Sequence, residues 1–310
     1  MEKILVTGGR GLVGKAIQNV IGTDDRFYFT NSSEADLSNY ENCFDLFKRV
    51  KPSKVIHLAA NVGGLFKNMS EKTEMFEKNL IINYNVVKCS YEFNVKKFIG
   101  CLSTCIFPDK TTYPINEEML HDGSPHSSNY GYAYAKRMLE IQCRTYREQF
   151  NCNFMCIIPT NIYGPNDNFN LNDSHVIPGL IHRCYLAQKE NEYFYVSGTG
   201  RPLRQFIYSE DLARFIIKLL DNLEYNESLI ISPDVNDEIS IFKIAELIAT
   251  EFNYLDKLRV DLSKSDGQYR KTADNTKLKS IFGKLDLINI EDGLKKTISW
   301  FKNNYNVCRK

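Results

Sequence analysis

The chain has 310 residues and a nearly balanced charge, with 39 basic against 38 acidic residues and a net charge of +1. This balance argues against binding to nucleic acid or to an anionic membrane surface. No apolar run reaches the roughly 20 residues of a membrane span. The apolar content of 43% is typical of a folded protein with a substantial core, arranged as one large domain or two.

The nine cysteines follow no regular spacing. Cys101, Cys152 and Cys156 lie in apolar, strand-like runs, where a reduced cysteine behaves as a small hydrophobic residue. No histidines stand at zinc-finger spacing from these cysteines, so we expect no metal site. The first residues enter a strand directly and lack the apolar stretch of a signal peptide. We therefore expect a cytoplasmic protein with free thiols.

Short apolar runs alternate with longer helical patterns in the first half of the chain, as in a parallel sheet with crossover helices. The helical patterns predict helices at residues 12–21, 73–93 and 133–150. The apolar runs predict strands at residues 3–7, 27–30, 54–59, 97–103 and 153–158. The fold class is therefore α/β, with a Rossmann-type doubly wound parallel sheet over residues 1–165.

The pattern changes after Pro165, where residues 166–174 are polar, rich in asparagine and predict a loop. Strands follow at residues 193–196 and 229–232. Helices are predicted near residues 175–188, 209–221, 239–251 and 290–304. We expect residues 166–310 to form mostly a smaller, C-terminal α/β domain, while a segment near 205–232 returns to the first domain.

A glycine-rich turn separates the first strand from the first helix and satisfies the pattern G-x-G-x-x-G. Glycines permit the tight turn and let a pyrophosphate approach the backbone, and the helix N-terminus adds amide donors. An isolated glycine pattern is weak evidence, but its place between strand and helix predicts dinucleotide binding. The residues expected at the cofactor are Gly8, Gly9, Arg10, Gly11, Leu12, Val13 and Gly14.

The residues after the second strand indicate which dinucleotide is preferred. An acidic residue at the strand end would favour NAD by binding the ribose 2′-hydroxyl. Here the strand runs into residues 30–33 without an acid, and Glu34 and Asp36 come late. Arg10 can instead meet a 2′-phosphate, so we predict NADP(H). Asp36 is expected on the adenine side, with a solvated loop carboxylate as the alternative.

Tyr132 and Lys136 stand four residues apart in a predicted helix and so share one face. A free phenol has a pKa near about 10, and a lysine charge beside it is expected to lower that pKa toward neutrality. The pair can then act in proton transfer. Because Tyr-x-x-x-Lys also arises by chance, its weight depends on the rest of the chain.

The glycine turn, the strand end at residues 57–60, Ser103, and the Tyr132/Lys136 pair together resemble the extended short-chain dehydrogenase/reductase family. The resemblance implies that the serine and tyrosine hydrogen-bond a substrate carbonyl and that the lysine holds the nicotinamide ribose. The segment 159–165 resembles the part of the family that lies beside the nicotinamide. Besides the glycine turn, the implied cofactor contacts are Leu58, Ala59, Ala60, Lys136, Pro159, Asn161, Ile162 and His175.

Further segments resemble the GDP-L-fucose synthases within that family, over essentially the whole chain. They lie at residues 61–66, 102–108, 167–170, 174–180, 200–206 and 264–268. This resemblance implies 3,5-epimerisation of GDP-4-keto-6-deoxy-D-mannose followed by NADPH-dependent reduction at C4. It also implies a homodimer formed through the two helices at 73–93 and 133–150, and a GDP-sugar site mostly in the second domain.

The implied epimerisation explains why Cys105 and His175 matter. The C4 carbonyl acidifies the protons at C3 and C5, and inversion removes a proton on one face and returns one on the other. Cys105 is the candidate base and His175 the candidate acid. Taken alone, Cys105 resembles a buried strand-end thiol, His175 a helix cap and Ser103 a satisfied hydroxyl. The other histidines are expected to be structural or solvent-facing.

The resemblance also places substrate residues. Arg183 and Arg204 stand at the family's phosphate-binding positions, where a guanidinium binds phosphate by paired hydrogen bonds, although each alone is equally explained as a surface charge. Lys271 is a lesser candidate. Ser197 replaces a tryptophan that is frequent in bacterial relatives, so the guanine or ribose contact there differs.

Two other classes of function remain open at this point. One is another nucleotide-sugar enzyme of the same family: a 4-epimerase has no need of the Cys105/His175 pair, and a dehydratase usually has acidic residues where Thr104 and Cys105 stand. The other is a non-catalytic cofactor-binding scaffold, which typically lacks the tyrosine or the lysine.

Overall fold

The computed structural model describes residues 2–222 and 224–310. Its strands, numbered along the chain, are β1 Ile4–Thr7, β2 Phe27–Phe29, β3 Lys54–His57, β4 Lys97–Cys101, β5 Phe154–Pro159, β6 Asn161–Tyr163, β7 Phe194–Ser197, β8 Leu203–Arg204, β9 Phe206–Tyr208, β10 Leu229–Ile231, β11 Ile239–Ser240 and β12 Leu258–Asp261. The α-helices are α1 Leu12–Ile21, α2 Tyr40–Val50, α3 Leu65–Ser70, α4 Lys72–Glu92, α5 Tyr130–Phe150, α6 Val176–Glu190, α7 Ser209–Asp221, α8 Ile241–Glu251, α9 Thr276–Phe282 and α10 Ile290–Asn303.

A six-stranded parallel sheet forms the centre of the molecule, in the order β2-β1-β3-β4-β5-β10. The chain winds from β1 to one neighbour, β2, and then crosses back to the other neighbour, β3. Ligands of open parallel sheets bind in the crevice at such a reversal, outside the carboxyl ends of the strands. The glycine turn after β1 lies at this point.

Helices cover both faces of the sheet, which confirms the predicted doubly wound fold. α1 and α7 pack on one face through side chains that include Ile17 and Leu212. α2, α4 and α5 pack on the other through side chains that include Phe47, Val86 and Leu139. Within the described residues, no helix is both long enough and apolar enough to cross a membrane.

A second hydrophobic core lies among α6, α8, α10, β7 and β12. Its largest fully buried side chains are Tyr163, Phe169, Phe194, Phe252 and Phe301. By contrast, α7 and β10 belong to the central sheet and its layers, and Leu278 of α9 also packs there. The chain passes from the sheet towards the second core after β5 and again after β10, at the carboxyl ends of these two strands.

Most predicted helices and strands are present within a few residues of their expected bounds. The helix predicted at 239–251 begins at Ile241, because Ile239 and Ser240 pair with β8 and the Ser240 side chain caps the helix by accepting from the Lys243 N–H at 3.1 Å. Several short elements were not predicted, among them α2, α3, β6, β12 and α9.

Candidate active site

The glycine turn is built for close backbone approach. Gly8 has a positive φ of 72°, and a Cβ there would lie 2.9 Å from the backbone N of Ala59. A Cβ on Gly14 would lie 2.6 Å from the Gly8 carbonyl oxygen. Gly11 precedes α1 and, having no side chain, leaves the first amide groups of the helix available to an anion. A pyrophosphate fits this turn.

A chain of buried hydrogen bonds holds the turn that follows β3 against the end of β1. The Thr7 hydroxyl oxygen accepts from the N–H groups of Leu58 and Ala59, both at 3.1 Å. Its proton therefore goes to His57 Nδ1, at 2.8 Å, and His57 Nε2–H donates to Asn83 Oδ1 at 3.0 Å. Burial lowers the pKa of His57 to about 3, so the ring is neutral. Sequence reasoning expected a structural His57 but missed Thr7 and Asn83, which lie far away in the chain.

Asn83 continues this line onto the catalytic helix, since its Nδ2 donates to the carbonyl oxygen of Ala135 in α5 at 3.3 Å. The turn after β3 also contains Ala60, the third of its predicted cofactor residues, which is partly buried. The position of the cofactor turn and that of α5 are therefore set by one connected network.

The acidic residues after β2 are already engaged. The Glu34 carboxylate accepts from Arg49 at 2.6 Å and from the Tyr28 hydroxyl. Asp36 accepts from the hydroxyl and N–H of Ser38, and these bonds lower the pKa of its carboxyl. Arg10 is exposed and donates to the Ser33 hydroxyl at 3.1 Å. A cation, and not a carboxylate, is therefore available beside the end of β2.

Ser103 and Cys105 follow β4. Ser103 caps a 3-10 helix at Thr104–Ile106, and Cys105 lies within that helix. The Ser103 hydroxyl accepts from the Cys105 N–H at 3.4 Å. Tyr132 lies in the first turn of α5, and the buried Lys136 one turn later donates to the carbonyl oxygen of Cys101 at 2.9 Å. The structure thus brings the predicted serine, cysteine, tyrosine and lysine to one place, at the carboxyl ends of the strands.

The prediction that Lys136 lowers the pKa of Tyr132 was wrong. Burial raises the pKa of Tyr132 well above its usual value, and Cys105 and Cys101 add to the rise. Burial also lowers the pKa of Lys136. The ammonium group lies 5.8 Å from the centre of the tyrosine ring and is directed at a backbone carbonyl. Tyr132 is therefore a protonated phenol, able to donate its proton.

Cys105 and His175 face the same group, Lys271. Burial raises the pKa of the Cys105 thiol, while Lys271, Ser103 and Lys136 oppose the rise. Desolvation by surrounding protein atoms lowers the pKa of His175, Asp173 opposes this shift and Lys271 adds to it, although the residue is exposed to solvent. Within the described part of the chain, the His175 side chain makes no capping hydrogen bond to α6, so helix capping does not explain it. The thiol and the imidazole therefore both lie within electrostatic reach of Lys271, and we call the space around that ammonium group the cleft.

Cationic side chains line the same cleft. Burial, followed by the charge of Arg204, lowers the pKa of Lys271 to about 8. Arg204 donates to the carbonyl oxygens of Leu203 and Gln268, both at 2.7 Å, and burial lowers its pKa to about 10. Arg183 on α6 has a buried Nε without a partner among the described residues. These cations are partly buried, and a partly buried cation with unused donors is suited to bind an anion.

The remaining predicted residues are less free to bind. The Asn161 side chain donates to the Gln205 carbonyl oxygen at 3.0 Å, so this donor is already used. Pro159 is buried at the end of β5, and Ile162 packs into the sheet core. Leu12 and Val13 begin α1, and Val13 is buried. Ser197 ends β7 and is partly buried.

Comparison with known proteins shows similarity over the whole chain. The model of the NAD dependent epimerase/dehydratase family matches residues 4–231. A GDP-L-fucose synthase of Dictyostelium discoideum is 52% identical over 99% of this chain and 97% of its own. A probable GDP-L-fucose synthase of Drosophila melanogaster is 46% identical over 100% of both chains.

A solved structure is similarly close. The crystal structure of a GDP-L-fucose synthetase from Naegleria fowleri bound to NADP is 45% identical, with a TM-score of 0.94 over 100% of this chain and 95% of that one. The motifs, the fold and these full-length similarities agree. The chain therefore belongs to the NAD dependent epimerase/dehydratase family and, within it, to the GDP-L-fucose synthases.

Proposed function

We propose that this chain converts GDP-4-keto-6-deoxy-D-mannose to GDP-L-fucose, by epimerisation at C3 and C5 and NADPH-dependent reduction at C4. The observation that carries the proposal is a thiol, Cys105, in the carbonyl-binding site of a reductase, two residues from Ser103 and in one cleft with His175. Reduction alone needs no thiol there. The names of the full-length relatives support the same reaction.

In the epimerisation, the Cys105 thiolate takes the proton from C3 or C5 and becomes a thiol, and the substrate becomes an enolate. Protonated His175 then delivers a proton to the opposite face and becomes neutral. Ser103 and Tyr132 hold the C4 oxygen and stabilise the negative charge that develops there. Proton exchange with solvent restores the cysteine and the histidine. Lys271 favours the thiolate, and a substrate anion in the cleft favours the imidazolium.

In the reduction, the same pair holds the C4 oxygen. When bound, NADPH supplies the hydride to C4. Tyr132 gives its proton to the oxygen as the negative charge forms, and its raised pKa means that the phenol holds this proton beforehand. Lys136 is held by the Cys101 carbonyl oxygen in a position to support the tyrosine and to bind the nicotinamide ribose. One oxyanion site therefore serves both reactions.

The pyrophosphate of NADP(H) would lie on residues 8–14, with the turn at residues 58–60 beside it. Asp36 is proposed for the adenine side, and Pro159, Asn161 and Ile162 for the backbone beside the nicotinamide. For the GDP-sugar, Arg183, Arg204 and Lys271 would bind the phosphates, and Ser197 would lie near the nucleoside. The second hydrophobic core supports a substrate domain formed mostly by residues 166–310.

Exposed apolar side chains on α4 and α5 support the proposed homodimer. They are Ile81, Tyr84, Tyr91, Tyr130, Ile141 and Phe150. A second copy of the same two helices would cover them and form a four-helix interface. A cytoplasmic location stays a prediction from the free thiols.

Arg10→Ala should lower kcat/KM for NADPH by about 10- to 100-fold, because a hydrogen bond to a charged group contributes about 1.5–3 kcal/mol. The value for NADH should stay within about twofold, since NADH lacks the 2′-phosphate. Steady-state rates with both cofactors measure this change in preference. Arg26→Ala, at an exposed arginine paired with Asp24, is the control. Equal loss with both cofactors would contradict the role of Arg10.

Product analysis tests the function directly. Incubation with GDP-4-keto-6-deoxy-D-mannose and NADPH should yield GDP-L-fucose and NADP⁺ in equal amounts, identified by chromatography and NMR. A reaction without NADPH should yield no fucose but should introduce solvent deuterium at C3 and C5. A product reduced at C4 without inversion at C3 and C5 would show a plain 4-reductase. No turnover of the keto-sugar would favour the scaffold alternative.

A further inference from the structure

Arg137 follows the catalytic lysine in α5 and has no role in the reaction described above. It is only 5% exposed. Its Nε donates to the carbonyl oxygen of Ile106 at 2.6 Å, and its guanidinium lies 5.5 Å from the centre of the Tyr134 ring. Its Nη2 is buried without a partner in the described part of the chain. The Ile106 carbonyl belongs to the 3-10 helix that carries Cys105.

Two consecutive side chains of α5 thus hold both ends of the segment at residues 101–106. Lys136 donates to the Cys101 carbonyl oxygen before Ser103, and Arg137 donates to the Ile106 carbonyl oxygen after Cys105. The bonds inside the segment are long: 3.2 Å from the Ile106 N–H to the Ser103 carbonyl oxygen and 3.4 Å from the Cys105 N–H to the Ser103 hydroxyl. A single 3-10 turn has little stability of its own. Its position is therefore set by outside contacts: the two bonds from α5, the bond from the Leu102 N–H to the Ile157 carbonyl oxygen at 2.8 Å, and the buried Ile106 side chain.

Burial of a guanidinium that makes one hydrogen bond lowers the stability of the fold, because desolvation of a charge costs free energy. Here burial lowers the pKa of Arg137, and the only described groups that oppose this effect are Tyr134 and Cys105. The cation therefore lies within electrostatic reach of the thiol. A neutral side chain could fill the volume, but it would not reach the Ile106 carbonyl oxygen with the same rigid Nε–H donor.

We propose that Arg137 is a positioning residue for Cys105, which fixes the turn after β4 so that the sulfur, and not only the Ser103 hydroxyl, meets the substrate. This inference rests on the proposed function, in which Cys105 is the base of the epimerisation. Proton transfer from carbon depends steeply on the distance between donor and acceptor, and a small displacement of the sulfur slows it strongly. Among the described residues, Arg137 makes its hydrogen bond to Ile106 and its ring contact with Tyr134, so the cofactor turn should be unaffected.

Arg137→Gln and Arg137→Lys test this inference, with Arg144→Gln as the matched control. Arg144 lies on the same helix but pairs with Glu140, away from the Cys105 turn. Deuterium uptake at C3 and C5 should fall at least about tenfold in both Arg137 variants, because lysine keeps the charge but lacks the rigid Nε–H donor. NADPH affinity, measured by fluorescence titration, should stay within about twofold. Arg144→Gln should exchange at the rate of the unsubstituted protein.

Rescue of exchange by Arg137→Lys would overturn the positioning role, because charge alone would then suffice. Exchange at the normal rate in both variants would overturn it as well. If Arg137→Gln fails to fold, Arg137→Lys decides the question. A second readout does not need turnover. Because a displaced sulfur has a different accessibility, the rate at which iodoacetamide alkylates Cys105, relative to Cys152, should change at least about twofold in both variants when sites are resolved by mass spectrometry. If the unsubstituted protein shows no exchange, the proposed function is wrong. Alkylation still tests Arg137 in that case, because an unchanged rate at Cys105 would contradict its positioning role.

Discussion

Tyr132→Phe is expected to slow NADPH oxidation far more than deuterium uptake at C3 and C5. Phenylalanine fills the same volume but has no proton to give to the C4 oxygen. A positioned general acid contributes about 10²- to 10⁴-fold, so hydride transfer should slow by that range. In the enolisation, Ser103 still binds the C4 oxygen, and exchange should fall by only about tenfold, roughly the value of one hydrogen bond. Cofactor absorbance and NMR measure the two reactions on one sample.

The exposed Tyr130 at the start of α5 provides the control. Tyr130→Phe removes the same hydroxyl from the same helix, two residues away and therefore on another face. Both reactions should proceed normally in that variant. Equal loss of hydride transfer and exchange in Tyr132→Phe would contradict the separation of roles, because the phenol would then be needed for enolisation as well.

Cys105→Ser should suppress deuterium uptake at C3 and C5 by about 10²- to 10⁴-fold. A serine hydroxyl occupies nearly the same space but does not ionise near neutral pH, so no base remains at this position. GDP-L-fucose formation should fall to the same extent, because epimerisation precedes reduction. Cys152→Ser, at a partly buried cysteine outside the cleft, should retain full activity. If Cys105→Ser exchanges normally and loses only hydride transfer, Cys105 is not the base.

The pH dependence of exchange gives the same hypothesis a second test. Burial raises the pKa of Cys105, so the thiolate is the minor form at neutral pH. The proposed epimerisation also needs protonated His175, whose pKa is lowered. Between the two pKa values the thiolate fraction rises with pH as the imidazolium fraction falls, so the exchange rate of the unsubstituted protein should be nearly constant around neutral pH and should fall at more acidic and more alkaline pH. The Cys105→Ser variant should lose this profile.

The sequence predicted the sheet, its crossover helices and the meeting of Ser103 with Tyr132 and Lys136, because these depend on local patterns and on a shared strand edge. It missed α2, although Asn39 caps that helix and Cys43, Leu46 and Phe47 form its buried face. It also gave the wrong direction for the pKa of Tyr132. Desolvation dominates that pKa, and desolvation is set by side chains that surround the ring only after folding.

Arg137 shows a second limit of prediction from sequence. Its partner is a backbone carbonyl, and every residue has one, so no residue type in the sequence marks the contact. The Thr7, His57 and Asn83 line is equally hidden, since the first two are 50 residues apart and the last two 26. Roles that depend on distant backbone positions are visible only in three dimensions.

Because the His57 ring is neutral, the hydrogen bonds that connect the cofactor turn to α5 do not change with pH near neutrality. Because its pKa is about 3, the ring keeps one tautomer and gains no proton near neutral pH, where a free histidine would titrate at about 6.5. A change of rate near neutrality must then originate elsewhere, first of all in Cys105, His175 and Lys271. For this enzyme, the pKa values seen in a pH–rate profile would belong to the groups in the cleft. The hydrogen bonds through His57, which hold the cofactor turn and α5 in place, would add none.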